Sequence, residues 1–314
     1  MSANRPPACD LSVVVPALDE ADSLPELADR VRTVCDGRGL DWELLIVDDG
    51  SRDGTWEVVS RLHAADARIR GLRFARNYGK AAALAAGFGA AGGGTIITMD
   101  ADLQDDPDEI PALLDRLDEG WDLVSGWKQR RQDSWVKNNT SKIFNWAVGR
   151  MCGLGLHDFN CGLKAYRREV TERVRLYGEL HRYVPALAHL DGFRVTEQRV
   201  KHHRRRHGVT KYGWSRFING FLDLLTVHFL YARRTSPLHF FGRLGAGFGG
   251  VGGLILLYFL GWWLVGNPLR VRPIMILGLI LVVVAVHFIS LGLIAELVVA
   301  GRHPEASYRV ADRR

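Results

Sequence analysis

Thr95-Ile96-Ile97-Thr98-Met99-Asp100-Ala101-Asp102-Leu103-Gln104 is the stretch that decides how this 314-residue chain is read. Five apolar or β-branched residues form a strand-like run, and it ends in an acidic triplet. Side chains of an extended segment alternate faces with period two, so Asp100 and Asp102 are expected to project together at the carboxyl end of a strand. Hard divalent cations such as Mg²⁺ or Mn²⁺ take oxygen ligands, accept one or two protein carboxylates and complete their shell with water and phosphate oxygens. The pair is therefore read as a metal clamp for a diphosphate. A D-x-D triplet also describes a solvated acidic turn ahead of the helix near Pro107, so the surrounding sequence has to discriminate.

Upstream, strand-like runs alternate with helical patterns. Leu11 to Pro16 precedes a helix that turns Leu24, Leu27, Ala28, Val31 and Val34 inward, and Trp42 to Val47 follows. A second cycle has a helix near Thr55 to Ala64, a strand at Ile69 to Phe74 and an alanine-rich helix from Gly79 to Ala91, which leads into the quoted stretch. Strand, helix, strand in repetition predicts right-handed crossovers and a mainly parallel sheet covered on both faces. Ligands of such sheets bind beyond the carboxyl ends of the strands. Acidic residues cluster there: Pro16-Ala17-Leu18-Asp19-Glu20, Asp48-Asp49-Gly50-Ser51 and the triplet itself. Three acidic strand ends in one unit repel each other unless a cation or a hydroxyl-rich ligand lies between them. A nucleotide sugar with its metal answers that description, with Asp48 and Asp49 accepting hydrogen bonds from base and ribose. Asp53 reads as a cap for the next helix. Arg76-Asn77-Tyr78-Gly79-Lys80 opens the alanine-rich helix, whose free N-H groups and Lys80 face the same ligand.

The second half of the chain differs in kind. Leu244 to Val265 and Ile274 to Ala295 contain no Asp, Glu, Lys or Arg; each run is about 22 residues, roughly 33 Å of helix, enough to cross the hydrocarbon layer. The short loop between them makes a hairpin. Arg233, Arg234, Arg243, Arg302, Arg309, Arg313 and Arg314 lie outside the pair, against Arg270 and Arg272 within it. The positive-inside bias then puts both termini and the large N-terminal region in the cytoplasm, and the expected location is the plasma membrane of a prokaryote. No apolar leader follows Met1, and the four scattered cysteines are expected to be reduced packing residues. Gly245, Gly249 and Gly253 stand at four-residue spacing and read as a helix-packing face, which also allows a homo-oligomer through the hairpin. The net charge of +6 and pI near 9.3 do not imply nucleic acid. Much of the excess flanks the apolar runs and fills Lys201 to Lys211, where lipid headgroups and phosphates account for it.

Taken together, Asp48-Asp49-Gly50-Ser51, Arg76-Asn77-Tyr78-Gly79-Lys80, Asp100-Ala101-Asp102-Leu103-Gln104 and Asp158-Phe159-Asn160-Cys161-Gly162-Leu163-Lys164 resemble the family 2 glycosyltransferases of GT-A fold. Within that family the chain is most similar to the polyprenyl-phosphate glycosyltransferases, and the likeness covers roughly residues 10 to 230. The resemblance implies an α/β GT-A (Rossmann-like) catalytic domain over residues 1–213, then an amphipathic interfacial helical segment over 214–243 with Trp214, Phe217, Phe221 and Leu225 at helical spacing. The transmembrane hairpin follows over 244–298 (244–265 and 274–295), and 299–314 is a cytosolic tail. Carried across residue by residue, it implies Pro16, Glu20 and Asp48 around the nucleobase, where the strand-end reading adds Asp49 and Lys80 to the donor nucleotide site, and Asp100 and Asp102 at Mg²⁺ or Mn²⁺ and the diphosphate. Gln104 falls close to the sugar or acceptor. Leu18 stands where the family has tyrosine, and Glu20 is retained.

Arg205-Arg206-His207-Gly208-Val209-Thr210-Lys211-Tyr212 resembles the family's R-x-x-G-x-S-K-Y loop. Guanidinium and ammonium groups bind phosphates and stabilise a departing diphosphate, which gives Arg205 and Lys211 catalytic roles and makes Lys128, Arg131, Arg205 and Lys211 candidates for the acceptor phosphate. The implied reaction is metal-dependent, inverting transfer of one sugar from a UDP- or GDP-sugar to polyprenyl phosphate at the cytoplasmic leaflet. An acceptor phosphate is already ionised, so Asp158 is expected to orient sugar or acceptor rather than act as a strong base. Two other readings are a processive polysaccharide synthase, which would carry a Q-x-x-R-W motif and further spans, and a non-catalytic membrane-tethered nucleotide-sugar binder.

Overall fold

The computed structural model describes residues 7–129, 145, 147–176, 178–203, 237–268 and 270–301. They fall into two compact units that divide between His228 and Phe229. The first unit is built on one seven-stranded sheet, in the order β3-β2-β1-β4-β6-β5-β7. Its strands are β1 (Cys9–Ala17), β2 (Trp42–Asp48), β3 (Ile69–Arg73), β4 (Gly93–Thr98), β5 (Leu123–Trp127), β6 (Lys164–Arg167) and β7 (Val195–Arg199). β1 pairs in parallel with β2 and β4, β2 with β3, and β5 with β7. Only β6 among them is reversed, antiparallel to both β4 and β5. This is the mainly parallel sheet expected from the strand-helix alternation, and it agrees with the GT-A fold that the resemblance implies.

Burial explains the composition of the central strands. β2 is buried along its whole length and β1 nearly so, which is why both read as continuous runs of valine, leucine and isoleucine rather than as alternating patterns. Helices α1 (Leu24–Gly37), α2 (Thr55–Ala65), α3 (Lys80–Ala90) and α4 (Ile110–Asp118) follow successive strands, and α5 (Arg168–Arg173) and α6 (Val184–Leu190) precede β7. α3 is alanine- and glycine-rich because it lies tight on the sheet. A Cβ at Gly87 would come within 2.3 Å of Val14 Cγ1.

The register collects the chain's polar strand ends. Ala17 lies opposite Asp48 across β1 and β2. Thr98, two residues before Asp100, lies opposite Lys164 at the start of β6, and Lys164 lies opposite Ser125 on β5. The reversed strand thus returns Lys164 to the end of the sheet where β4 delivers Asp100 and β5 delivers Lys128.

The second unit contains two antiparallel-connected apolar helices, α7 (Pro237–Leu264) and α8 (Pro273–Gly301), which pack on each other as a hairpin. α7 begins seven residues before the apolar core expected at 244–265 and ends at Leu264, α8 overruns the core expected at 274–295 at both ends, and residues 237–243 of the anticipated interfacial segment are the first turns of α7. Residues 214–236 of that segment, and most of the tail, lie outside the described residues. The packing face also differs from expectation. Gly245, Gly249 and Gly252 meet α8, with added Cβ atoms at 2.8 Å from Ile289 Cγ1, 3.2 Å from Ala285 Cβ and 2.7 Å from Gly278 O, whereas Gly253 faces open space. A helix of 3.6 residues per turn brings i, i+4 and i+7 to one side, so a strict four-residue stripe drifts off the contact. The remaining faces carry exposed Leu, Ile, Val and Trp side chains, as a lipid-facing hairpin would.

Candidate active site

The D-x-D segment leaves β4 as a strained, internally bonded turn. Leu103 adopts φ +60°, a left-handed conformation costly for a large side chain, and is nonetheless buried. Asp102 Oδ1 accepts the Gln104 N-H at 3.2 Å, and Asp105 Oδ2 accepts the Asp100 N-H at 3.2 Å. Fully buried Asp105 pairs through Oδ1 with Lys128 Nζ at 2.8 Å. Lys128, expected among the acceptor-phosphate cations, therefore points inward, its side chain 12% exposed. Burial opposes its charge, yet Asp105 beside it lifts its pKa above the ordinary lysine range.

Asp100 is the centre of the arrangement. Its Oδ1 is ion-paired with Lys80 Nζ from the first turn of α3. Gly162, in the Asp158-to-Lys164 segment, lies directly beneath the carboxylate: a Cβ there would sit 2.7 Å from Asp100 Cγ and 2.8 Å from both oxygens. Burial by itself would raise the Asp100 carboxyl, but Lys80, Lys128 and Lys164 hold it well below the usual carboxylate range. Lys164, almost wholly buried, donates to the Cys161 carbonyl and so braces the turn that carries Gly162. Burial, together with the Lys80 ammonium, pushes its own pKa down. Burial likewise pushes the Cys161 thiol up to about 12 and keeps it a neutral packing group, as expected for the cysteines.

The nucleotide side is laced together by backbone. Asp48, fully buried, accepts the Ser51 N-H at 2.8 Å and lies 3.5 Å from Arg73 Nε. Asp49 accepts the Tyr78 and Gly79 N-H groups at 2.7 and 2.9 Å, so both of its oxygens anchor the loop that presents Lys80. Gly50, at φ +75°, is required there: a Cβ would approach the Arg76 carbonyl carbon to 2.4 Å. Ser51 Oγ accepts the Asp19 N-H, Thr55 Oγ1 accepts the Glu20 N-H, and Asp53 accepts the Thr55 and Ala21 N-H groups, the helix-start role anticipated for it. Pro16 and Glu20 thereby border the same strand end as Asp48, and Glu20 accepts from Ser23 Oγ at 3.0 Å.

Asp158, 1% exposed, accepts the Asn160 N-H at 3.1 Å at the start of the turn below Asp100. The Gln104 carbonyl accepts the His203 N-H at 2.9 Å, and Asp106 binds both Arg30 and His203 Nε2, the latter at 2.8 Å. The chain runs from this tether into its basic segment. Arg131, Arg205 and Lys211 lie outside the described residues. Sequence reasoning passed over Asp105, Gly162, Lys164 and His181. The first three stand inside quoted or adjoining motifs, whereas His181 in His181-Arg182-Tyr183 has no spacing signature.

Among the described residues no cluster of three or more His, Cys, Asp or Glu side chains forms a closed metal site. The donor set is hard carboxylate oxygen at Asp100 and Asp102, and a cationic neighbour, Lys80, now balances Asp100. This fits a divalent cation that takes its other ligands from phosphates and water.

A family model described as "Glycosyl transferase family 2" matches residues 12–175. Dodecaprenyl-phosphate galacturonate synthase of Rhizobium johnstonii is 39% identical over 296 residues, spanning 92% of this chain and 87% of that protein. Undecaprenyl-phosphate 4-deoxy-4-formamido-L-arabinose transferase of Salmonella typhimurium is 38% identical over 293 residues, spanning 92% and 88%. Among solved structures, a mannosyltransferase from Pyrobaculum calidifontis in complex with GDP-Man and Mn²⁺ aligns with TM-score 0.52 at 19% identity, covering 96% of this chain and 81% of that one. Glucosyl-3-phosphoglycerate synthase from Mycobacterium tuberculosis with Mn²⁺ and UDP-glucose aligns with TM-score 0.52 at 22% identity, covering 70% and 79%. These last two share the fold.

Proposed function

The chain belongs to glycosyl transferase family 2, and from that premise we propose that it moves one sugar from a UDP- or GDP-sugar to a polyprenyl phosphate, inverting the anomeric carbon, with its centre at Asp100. The observation that carries this reading is the Asp100 carboxylate at the carboxyl end of β4, seated on Gly162, paired with Lys80 and in the field of Lys128 and Lys164. Such a site is matched to a metal-bound diphosphate: carboxylate for the cation, ammonium for the phosphate oxygens.

Asp100 and Asp102 would hold the divalent ion, Mg²⁺ or Mn²⁺, which when bound supplies Lewis-acid stabilisation of the departing diphosphate. Pro16, Glu20 and Asp48 border the nucleoside, and Asp49 fixes the loop from which Lys80 reaches the site. Lys80 exchanges its pairing with Asp100 for the diphosphate once the donor is seated. Lys128 works through Asp105 to hold the turn, a positioning role. The acceptor phosphate oxygen attacks the anomeric carbon in line, and Asp158 and Gln104 orient sugar and acceptor. The phosphate oxygen is already anionic at neutral pH, so no strong base is needed. Arg131, Arg205 and Lys211 serve the acceptor phosphate and the leaving diphosphate. The apolar hairpin keeps the enzyme on the bilayer that holds the lipid acceptor, with both termini on the cytoplasmic side.

The test is turnover by detergent-purified protein with a short polyprenyl phosphate and separate UDP- and GDP-sugars, with Mn²⁺ or Mg²⁺ and with chelator. Chelator-sensitive glycolipid from one donor is the expected result and identifies base and sugar. Nucleotide-sugar binding without glycolipid from any donor would replace this reading with a non-catalytic binder.

A further inference from the structure

Before α6 the chain makes a 3-10 turn, Leu180–Arg182, that packs against α3, the helix whose first residue is Lys80. His181 on this turn stands in the field of Lys80, Arg182 and Lys164, with Asp100 opposing them. It belongs by position to the donor side of the site, yet nothing above gives it a task. Its Nδ1 is buried and meets no hydrogen-bond partner among the described residues. Burial first, and then those cations, pull the ring's pKa down to about 2, so the imidazole is neutral throughout the working range.

A neutral imidazole carries one N-H and one lone-pair nitrogen. A buried N-H with no acceptor is among the rarest features of folded proteins, so the proton is assigned to Nε2, which becomes a donor. The buried Nδ1 fixes which end of the ring is offered outward. Lys80 already serves the anionic diphosphate, and an uncharged N-H adds little to that ammonium. It matches an uncharged oxygen of the sugar.

We propose that His181 is a specificity-determining residue that donates a hydrogen bond from Nε2 to a ring hydroxyl of the donor sugar. The assignment rests on the nucleotide-sugar reading of the site, not on the identity of the acceptor. Side-chain amides separate the two ring nitrogens: glutamine places its N-H₂ near the position of Nε2, asparagine near that of Nδ1.

The experiment uses the full chain in detergent with Mn²⁺ and measures binding of UDP, GDP and their hexose conjugates by calorimetry, alongside the thermal midpoint. His181→Ala is expected to weaken the sugar conjugate about tenfold or more while binding of the matching free nucleotide stays within about twofold. His181→Gln restores most of the loss, and His181→Asn does not. Equal loss for nucleotide and conjugate would overturn the proposal in favour of a diphosphate contact or a purely structural role. A raised Mn²⁺ requirement would overturn it in favour of a metal ligand, and unchanged conjugate binding would overturn it outright. A wild-type protein that distinguishes sugar conjugate from nucleotide but glycosylates no lipid would refute the polyprenyl acceptor and leave this comparison fully readable.

Discussion

Gly162 occupies a place where a single methyl group has nowhere to go. Its missing Cβ would lie 2.7 Å from Asp100 Cγ, and backbone and carboxylate therefore meet in a way that only glycine permits. Gly162→Ala is expected to lower kcat about 100-fold by displacing Asp100 by a fraction of an ångström to an ångström, with little change in thermal midpoint. A steady-state assay beside a melting curve checks both halves of that statement. Asp100→Asn removes the charge and not the shape, and turnover is expected to fall about 1000-fold at any metal concentration while the protein folds. Activity within tenfold of wild type would take Asp100 out of the metal role. At this scale the motif residues Asp48, Asp100, Asp102 and Asp158 were visible in the sequence. Of the groups that make Asp100 work, Lys80 was read as facing the donor and Lys128 as a cation for the acceptor phosphate, whereas Asp105, Gly162 and Lys164 were assigned no role, because their meaning is a distance to Asp100 and not a spacing along the chain.

Elements place those residues through register, and one buried carboxylate ties several of them together. Glu43 on β2 accepts from Ser12 Oγ on β1 and from the Gly92 N-H ahead of β4, both at 2.6 Å, and pairs with Arg70 on β3. Burial by itself would raise its carboxyl; these partners together hold it below the ordinary value. A folded-state pKa below the unfolded one contributes stability above roughly pH 4.3, and that contribution is lost as pH falls through the lower folded value. Glu43→Gln is therefore expected to cost about 1–3 kcal/mol at pH 7 and to flatten the acid limb of a denaturation series. An unchanged slope below pH 5 would show that another carboxylate controls that limb. In the hairpin, Gly252→Val forces a side chain into Gly278 O and Leu281 Cβ, at 2.7 and 2.9 Å from the added Cβ, and is expected to cost about 1–3 kcal/mol. Gly253→Val, on the open side, is the control and should melt within error of wild type in detergent micelles. The stripe could be mistaken in sequence because a run of seven glycines between Gly242 and Gly253 offers several spacings, and only the partner helix selects one.

At the scale of the molecule, an α/β unit built on a buried sheet and a hairpin with exposed apolar faces are joined in one chain. The proposed topology is open to labelling: in a cysteine-free background, Asn267→Cys between the helices should react with an impermeant thiol reagent on intact cells, and Ser307→Cys in the tail only after permeabilisation. The opposite pattern would invert the orientation. The alternation of strands and helices, the two membrane-length runs and the acidic strand ends were all determined by the sequence alone, because period, hydropathy and strand-end chemistry are local properties of a chain. The D-x-D motif and its relatives belong with them, since each acts within a few residues. What only the tertiary structure decided is which distant groups meet: the reversed β6 that returns Lys164 and Gly162 to Asp100, the inward turn of Lys128 onto Asp105, and the placing of His181, its Nδ1 buried, in the field of Lys80. Those contacts are set by sheet order and by the low dielectric of a closed interior, and neither exists until the chain has folded.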